Sequence, residues 1–124
     1  KYLLNAAACD ACHTKQDKGK PLPGMTLAGG FEFPMTGGLL RSANITPDAE
    51  TGIGDWSEQA FVNRFKMYAD SSYTPAKVDP KEFNTVMPWL MYSKMTREDL
   101  SAIYAYLKTV TPVSNKVERF TPKK

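Results

Sequence analysis

Histidine is almost missing from this chain. Its 124 residues include one, His13, and only two cysteines, Cys9 and Cys12. A structural zinc site usually takes four Cys or His ligands, more than these three residues supply. No apolar run approaches the roughly 18 residues that a membrane-crossing helix needs. Charge of one sign is also scarce: 16 Lys and Arg stand against 13 Asp and Glu, for a net +3. That is not the footprint of a nucleic-acid binder, and it makes the Lys residues near the two ends a solvated surface. Internal repeats, low-complexity tracts and linkers are absent. The length fits one domain spanning 1–124, of ordinary globular composition.

The scarce residues stand together, as Cys9-Asp-Ala-Cys12-His13. This is the Cys-x-x-Cys-His form that attaches a c-type haem. Two thiols three residues apart on one helical turn can each add to a vinyl group of one porphyrin, and His13 then lies under the ring to bind iron. A thioredoxin-like redox pair would stand beside a βαβ pattern, which this sequence does not show. A Cys9–Cys12 disulfide would leave His13 unexplained. The expectation is one haem c, attached through Cys9 and Cys12 and ligated by His13. Such attachment needs reduced thiols and machinery outside the bacterial cytoplasm. A periplasmic location is therefore expected, with an export signal removed or the domain cut from a longer exported chain.

Along the chain, residues 2–12 read as a short helix, with Leu3 and Ala7 on one face. Residues 14–55 carry no convincing helix or strand pattern. They are rich in Gly and Pro yet apolar enough to be ordered, as a loop wrapping a large apolar ligand would be. Within them, Phe31-Glu-Phe33 can form a hairpin arm with Leu39-Leu40. Residues 57–69 form a helix capped by Ser57, with Phe61, Phe65 and Tyr68 at helical spacing. A short helix is expected from Asp79, ending before Pro88. Residues 97–109 form the most strongly marked helix, opened by Thr96 and striped by Leu100, Ile103, Tyr104 and Leu107. The tail after Val113 is expected to run over the surface.

This order of elements resembles class I c-type cytochromes, whose sixth iron ligand is a Met in the loop before the last helix. Six methionines compete: Met25, Met35, Met67, Met87, Met91 and Met95. Met67 lies mid-helix, Met95 abuts the last helix cap, and Met25 and Met35 fall on the His13 side. Met87 precedes Pro88, which favours an extended backbone and turns its side chain away from any helix. Met91 is the runner-up.

The resemblance becomes specific at Asn44-Ile-Thr-Pro-Asp48, Glu50-Thr-Gly-Ile-Gly54 and Trp56-Ser57. Met87-Pro88-Trp89, the last-helix pattern from Thr96 to Leu107 and Pro112-Val113 extend it over nearly the whole chain. These segments resemble the cytochrome c subunits of bacterial membrane-bound alcohol, aldehyde, gluconate and nicotinate dehydrogenases, with Trp89 replacing their Tyr. The resemblance implies an all-α bundle of about four helices and long loops around one covalent haem, with iron held by His13 and Met87. It implies an electron carrier, not an enzyme, with a dehydrogenase as donor and an oxidase or other cytochrome as acceptor. The alternative is a haem enzyme or gas-binding sensor with an open sixth position, for which this chain has no second histidine.

Haem propionates need donors where they are partly buried. Trp56, through its indole N–H, is the first candidate, Arg41 the second, and Asn44 and Thr46 follow. The other N–H of His13 needs an acceptor, which the usual cytochrome arrangement places at the carbonyl of Pro21 or Pro23. The docking edge is expected near Ala8 and Ala11, faced by Leu90 and Met91 and rimmed by Lys15 and Lys94.

Overall fold

The computed structural model describes residues 1–69 and 86–122. The chain begins with α1 (Tyr2–Ala6) and α2 (Cys9–His13). Short strands follow: β1 (Gln16–Asp17), β2 (Lys20–Pro21), β3 (Glu32–Met35) and β4 (Gly38–Arg41). Then come α3 (Glu58–Lys66), a 3₁₀ turn at Met67–Ala69, α4 (Trp89–Tyr92), α5 (Arg97–Leu107) and β5 (Phe120–Pro122).

The two longer helices form where their local signals place them. Ser57 Oγ accepts from the Ala60 N–H and Thr96 Oγ1 from the Asp99 N–H, so each start satisfies one otherwise orphaned donor. Their buried stripes, Phe61, Val62 and Phe65 on α3 and Leu100, Ile103 and Leu107 on α5, meet in one core with Leu4, Leu27 and Ile53. The first and last helices touch, α1 packing on α5, with Leu4 as its buried residue.

The expectation of an all-α fold does not hold. β3 and β4 form the anticipated hairpin, with Phe33 opposite Leu40, but β5 adds to its open side and makes a three-stranded antiparallel sheet. A second hairpin joins β1 to β2. The C-terminal tail therefore does not simply run over the surface: Leu40 pairs with Phe120 and Leu39 with Thr121. Pairing across about 80 positions leaves no local periodicity to read.

The expected helix over 2–12 is also two pieces. Ala8 adopts φ 58°, a left-handed conformation that ends α1 and turns the chain before Cys9. The helix expected from Asp79 falls outside the described residues. Among the described residues no helix is long and apolar enough to cross a membrane.

Candidate functional site

The turn at Ala8 sets α2 across the end of α1, so that the Cys9–His13 turn faces a large cleft. His13 is 8% exposed, and its Nδ1 lies 2.7 Å from the Ala43 carbonyl oxygen. A carbonyl only accepts, so Nδ1 carries the proton and Nε2 keeps its lone pair. The acceptor is thus Ala43, not Pro21 or Pro23. Those prolines belong to the β1–β2 hairpin region, while Ala43 follows β4. Burial holds the His13 pKa below its ordinary value, opposed by the Ala43 hydrogen bond and reinforced by the positive charge of Arg119.

The Ala43 carbonyl is positioned by a dense backbone weave. Gly29 N–H donates to His13 O, Gly30 N–H to Ser42 O at 2.9 Å, and Ile45 N–H to Leu27 O at 3.0 Å. Thr14 pairs with Gly29 as an isolated parallel bridge, and Thr14 Oγ1 accepts from the Leu27 N–H at 2.9 Å. Residues 27–30 are thereby wedged between the haem-attachment motif and the segment 42–45. Gly29 sits at φ +78°, and a Cβ added there would collide with the Ala43 backbone. Only a residue without Cβ fits there.

The cleft has a volume of about 450 Å³ and is lined mainly by apolar groups. Cys9, Cys12, His13, Arg41, Asn44, Trp56 and Met87, all singled out from the sequence, border it together. Both thiols are free, Cys9 half-buried and Cys12 exposed. Burial, with smaller contributions from Cys12 and Asp10, pushes the Cys9 pKa up to about 11. Two thiols and a tautomerically fixed imidazole open on one apolar cavity, which is the donor set that a covalent c-type haem requires.

Val86, Met87, Pro88, Trp89, Tyr92 and Met95 also border the cleft. Met87 borders the cavity and is partly buried against the core. Met91 is 60% exposed and does not line it, whereas Met95 does. The runner-up therefore changes from Met91 to Met95. Aromatic contacts position the segment: Trp89 stacks on Tyr68 at 5.5 Å and packs on Phe65 at 5.0 Å. Lys66 Nζ donates to Ser93 O at 2.9 Å, and the Tyr92 hydroxyl donates to Ala7 O.

The four candidate propionate donors, Trp56, Arg41, Asn44 and Thr46, differ in what they have to offer, and the Thr46 hydroxyl is bonded to Asn44 Oδ1. Asn44 is 5% exposed and its amide is already spent. Its Nδ2 donates to Val113 O at 2.8 Å and Thr51 Oγ1 at 3.1 Å, and its Oδ1 accepts from Thr46 N and Oγ1. Asn44 is a knot between the loop and the C-terminal tail, which leaves it no donor for a propionate. Arg41 is tied to Glu118 O, Thr121 Oγ1 and the Glu32 carboxylate. Trp56 is 40% exposed, and among the described residues its indole N–H has no partner.

Sequence reasoning missed Arg64 and Arg119, which also line the cleft. Arg64 falls one helical turn after Phe61, a weak sign that it shares the buried face of α3. Arg119 lies in the tail and carries no local signal. The residues expected at a docking edge, Ala8, Ala11, Leu90, Met91, Lys15 and Lys94, are exposed.

The family model described as "Cytochrome c" matches residues 1–111. A fructose dehydrogenase cytochrome subunit from Gluconobacter japonicus is 34% identical over 113 residues, covering 90% of this chain and 21% of the relative. A gluconate 2-dehydrogenase cytochrome c subunit from Pantoea cypripedii is 36% identical over 119 residues, covering 92% and 23%. An alcohol dehydrogenase (quinone) cytochrome c subunit from Gluconacetobacter polyoxogenes is 33% identical over 114 residues, covering 91% and 22%. The chain thus spans less than a quarter of each relative's length. Family membership carries with it a covalently bound haem c and electron transfer in place of catalysis. With the Cys-x-x-Cys-His turn, the oriented imidazole and the apolar cleft in one place, this chain belongs to the cytochrome c family.

Proposed function

We propose that residues 1–124 form a monohaem electron-transfer domain, with the haem bonded to Cys9 and Cys12 and the iron held between His13 Nε2 and Met87 Sδ. Bound haem supplies a one-electron couple, and a thioether ligand raises its potential. The protein's part is to hold the ligands and keep the centre dry. Ala43 O fixes the His13 ring. Phe61, Phe65, Leu100 and Ile103 back the cavity, and Trp56 offers its N–H at the rim. The observation that carries this reading is the meeting of both thiols, His13 and Met87 on one apolar cavity.

Relatives named as cytochrome subunits of fructose, gluconate and alcohol dehydrogenases support a dehydrogenase as electron donor. A respiratory oxidase or another cytochrome is the acceptor, and the periplasm is the compartment. The exposed Leu90, Met91 and Cys12 provide the small apolar docking face that brief redox encounters use.

The test is ligand substitution. Met87→Ala should abolish the Met-to-iron charge-transfer band, lower the potential and let ferrous protein bind carbon monoxide; Met95→Ala should do none of these. The reverse pattern would assign the ligand to Met95. Prompt carbon monoxide binding by the unmodified protein at neutral pH would overturn His/Met ligation.

A further inference from the structure

Past Thr111, where the match to the family model ends, residues 112–122 form a C-terminal strap. Its far end is held by the pairing of β5 with β4. Its near end is held by side chains. Asn44 Nδ2 donates to Val113 O at 2.8 Å, and the Val113 N–H donates to Thr46 Oγ1 at 3.1 Å. Those bonds tie the strap to residues 44–46.

Asn115 ties the strap to a second segment. Its backbone N–H donates to Thr51 Oγ1 at 3.0 Å, while its side-chain Nδ2 donates to Ala28 O at 3.0 Å. Ala28 is wholly buried, and among the described residues no other group donates to that carbonyl. Without the amide, the oxygen would face neither a protein donor nor water. Asn115 itself is half-buried and does not border the cleft.

The two tied segments hold His13 at two points. Gly29, next to Ala28, donates its N–H to His13 O. Ala43, next to Asn44, accepts from the His13 ring, its oxygen 2.7 Å from Nδ1. The spacing of the segments therefore decides whether His13, fixed through its backbone, keeps its ring on the Ala43 carbonyl. Two backbone bonds set that spacing directly, Gly30 N–H to Ser42 O and Ile45 N–H to Leu27 O. The strap sets it again, with Val113 bonded to one segment and Asn115 to the other.

We infer that Asn115 is a positioning residue for the His13 imidazole: its amide holds the Ala28–Gly29 peptide in place and so keeps the ring N–H on Ala43 O. The role rests on the proposed ligation of iron by His13, and it gives the strap a part in that ligation. A carbonyl that accepts from Nδ1 makes the imidazole a more basic ligand. A more basic ligand favours ferric iron, so a weakened Ala43 bond favours ferrous iron. Asn115 acts through two backbone segments and touches neither the iron nor the cleft.

The experiment uses the reduced holoprotein and proton magnetic resonance. His13 is the sole histidine of the chain, so its ring signals identify themselves. Asn115→Leu keeps the size of the side chain, adds no charge and removes the donor. It should speed solvent exchange of the His13 ring N–H about tenfold. It should also shift the reduction equilibrium about threefold toward ferrous. Thr121→Val loosens the strap at its other end, where Thr121 Oγ1 accepts from Arg41 Nη1 at 2.9 Å. That variant should change the ring exchange less than about twofold, which separates positioning from general loosening of the strap. Exchange in Asn115→Leu no faster than in Thr121→Val overturns the proposal, as does an equilibrium that fails to move toward ferrous. Should Asn115→Leu fail to accumulate, Asn115→Ala decides by the same criteria. A His13 ring that lacks the upfield shift a porphyrin overhead imposes defeats the proposed ligation instead, and the exchange comparison then decides the role of Asn115 alone.

Discussion

The two walls of the cleft are built on different principles. On the His13 wall, the backbone of residues 13–14, 27–30 and 42–45 is cross-bonded strand to strand, and a buried amide, Asn44, ties that weave to the C-terminal strap. On the Met87 side, among the described residues, a single helical turn, α4, rests on aromatic faces and side-chain hydrogen bonds. One wall is stiffened by backbone hydrogen bonds and the other by side-chain packing. A histidine that must meet iron along one direction needs the first kind. A thioether on three rotatable bonds tolerates the second. In the proposed ligation the His13 side is therefore set before haem arrives, while the Met87 side can be exchanged at small cost to the fold.

Breaking the stiff wall has the largest expected effect. Gly29→Ala adds a Cβ against the Ala43 backbone at a φ of +78°. Left-handed strain costs about 1–2 kcal/mol and the forced displacement about 1–3 more. The sum, about 2–5 kcal/mol, should appear as a loss of denaturant stability, and the His13–Ala43 hydrogen bond should be disturbed with it. A variant as stable as the parent would mean that the weave is pliant. Asn44→Ala comes next. It strands the Thr46 N–H, Val113 O and Thr51 partners in a buried setting, at about 1–3 kcal/mol for each group left unsatisfied. Denaturation monitored by circular dichroism should show a loss of about 3 kcal/mol, and limited proteolysis should release the strap.

These contrasts explain what the sequence could and could not tell. The helices α3 and α5 were legible because caps at Ser57 and Thr96 and stripes of Phe61–Phe65 and Leu100–Leu107 are local. The haem-attachment turn was legible because three scarce, chemically specific residues stand in five positions. The β3–β4 hairpin was legible from Phe31–Phe33 and Leu39–Leu40, whereas β5 was not, since its partner lies about 80 residues away. The same distance hid Arg119. The break at Ala8 was hidden because alanine ordinarily favours helix; here tertiary demands on the Cys9 turn override that preference. Ala43 could not be identified as the His13 acceptor, because any backbone carbonyl is chemically equivalent to any other in sequence.

The two attachment cysteines carry the contrast into the motif itself. Cys9 is packed toward the core while Cys12 is exposed. Burial raises the Cys9 pKa from its ordinary 9.0 to about 11. In haem-free protein the Cys9 thiolate should therefore be about a hundredfold scarcer than that of an ordinary cysteine at neutral pH. Alkylation of Cys9 should continue to accelerate up to about pH 11, read by mass spectrometry of the peptide containing both cysteines. A raised folded-state pKa stabilises the protonated thiol. That contribution to apoprotein stability is complete below pH 9.0 and is lost as pH rises through about 11. An alkylation rate at Cys9 that levels off near pH 9 would mean that the thiol is better solvated than its packing indicates.

The smallest effect is expected where the soft wall touches the first helix. Tyr92 in α4 donates its hydroxyl to the Ala7 carbonyl, next to the turn that launches the haem-attachment motif. Its ring lies 6.2 Å from that of Phe65, edge to face, an arrangement that phenylalanine would keep. Tyr92→Phe therefore removes one hydrogen bond and little packing. It should cost about 1 kcal/mol of stability. Its influence on the proposed Met87 ligand should exceed its influence on the fold, because the hydroxyl ties α4 to the turn before Cys9. If Met87 is the ligand as proposed, the rate at which an added ligand such as imidazole displaces it should rise several-fold, while the ligand field on the His13 side stays unchanged. Equal acceleration by Tyr92→Phe and by Gly29→Ala, on opposite walls, would show that the two sides open as one unit and that the distinction between them is not mechanical.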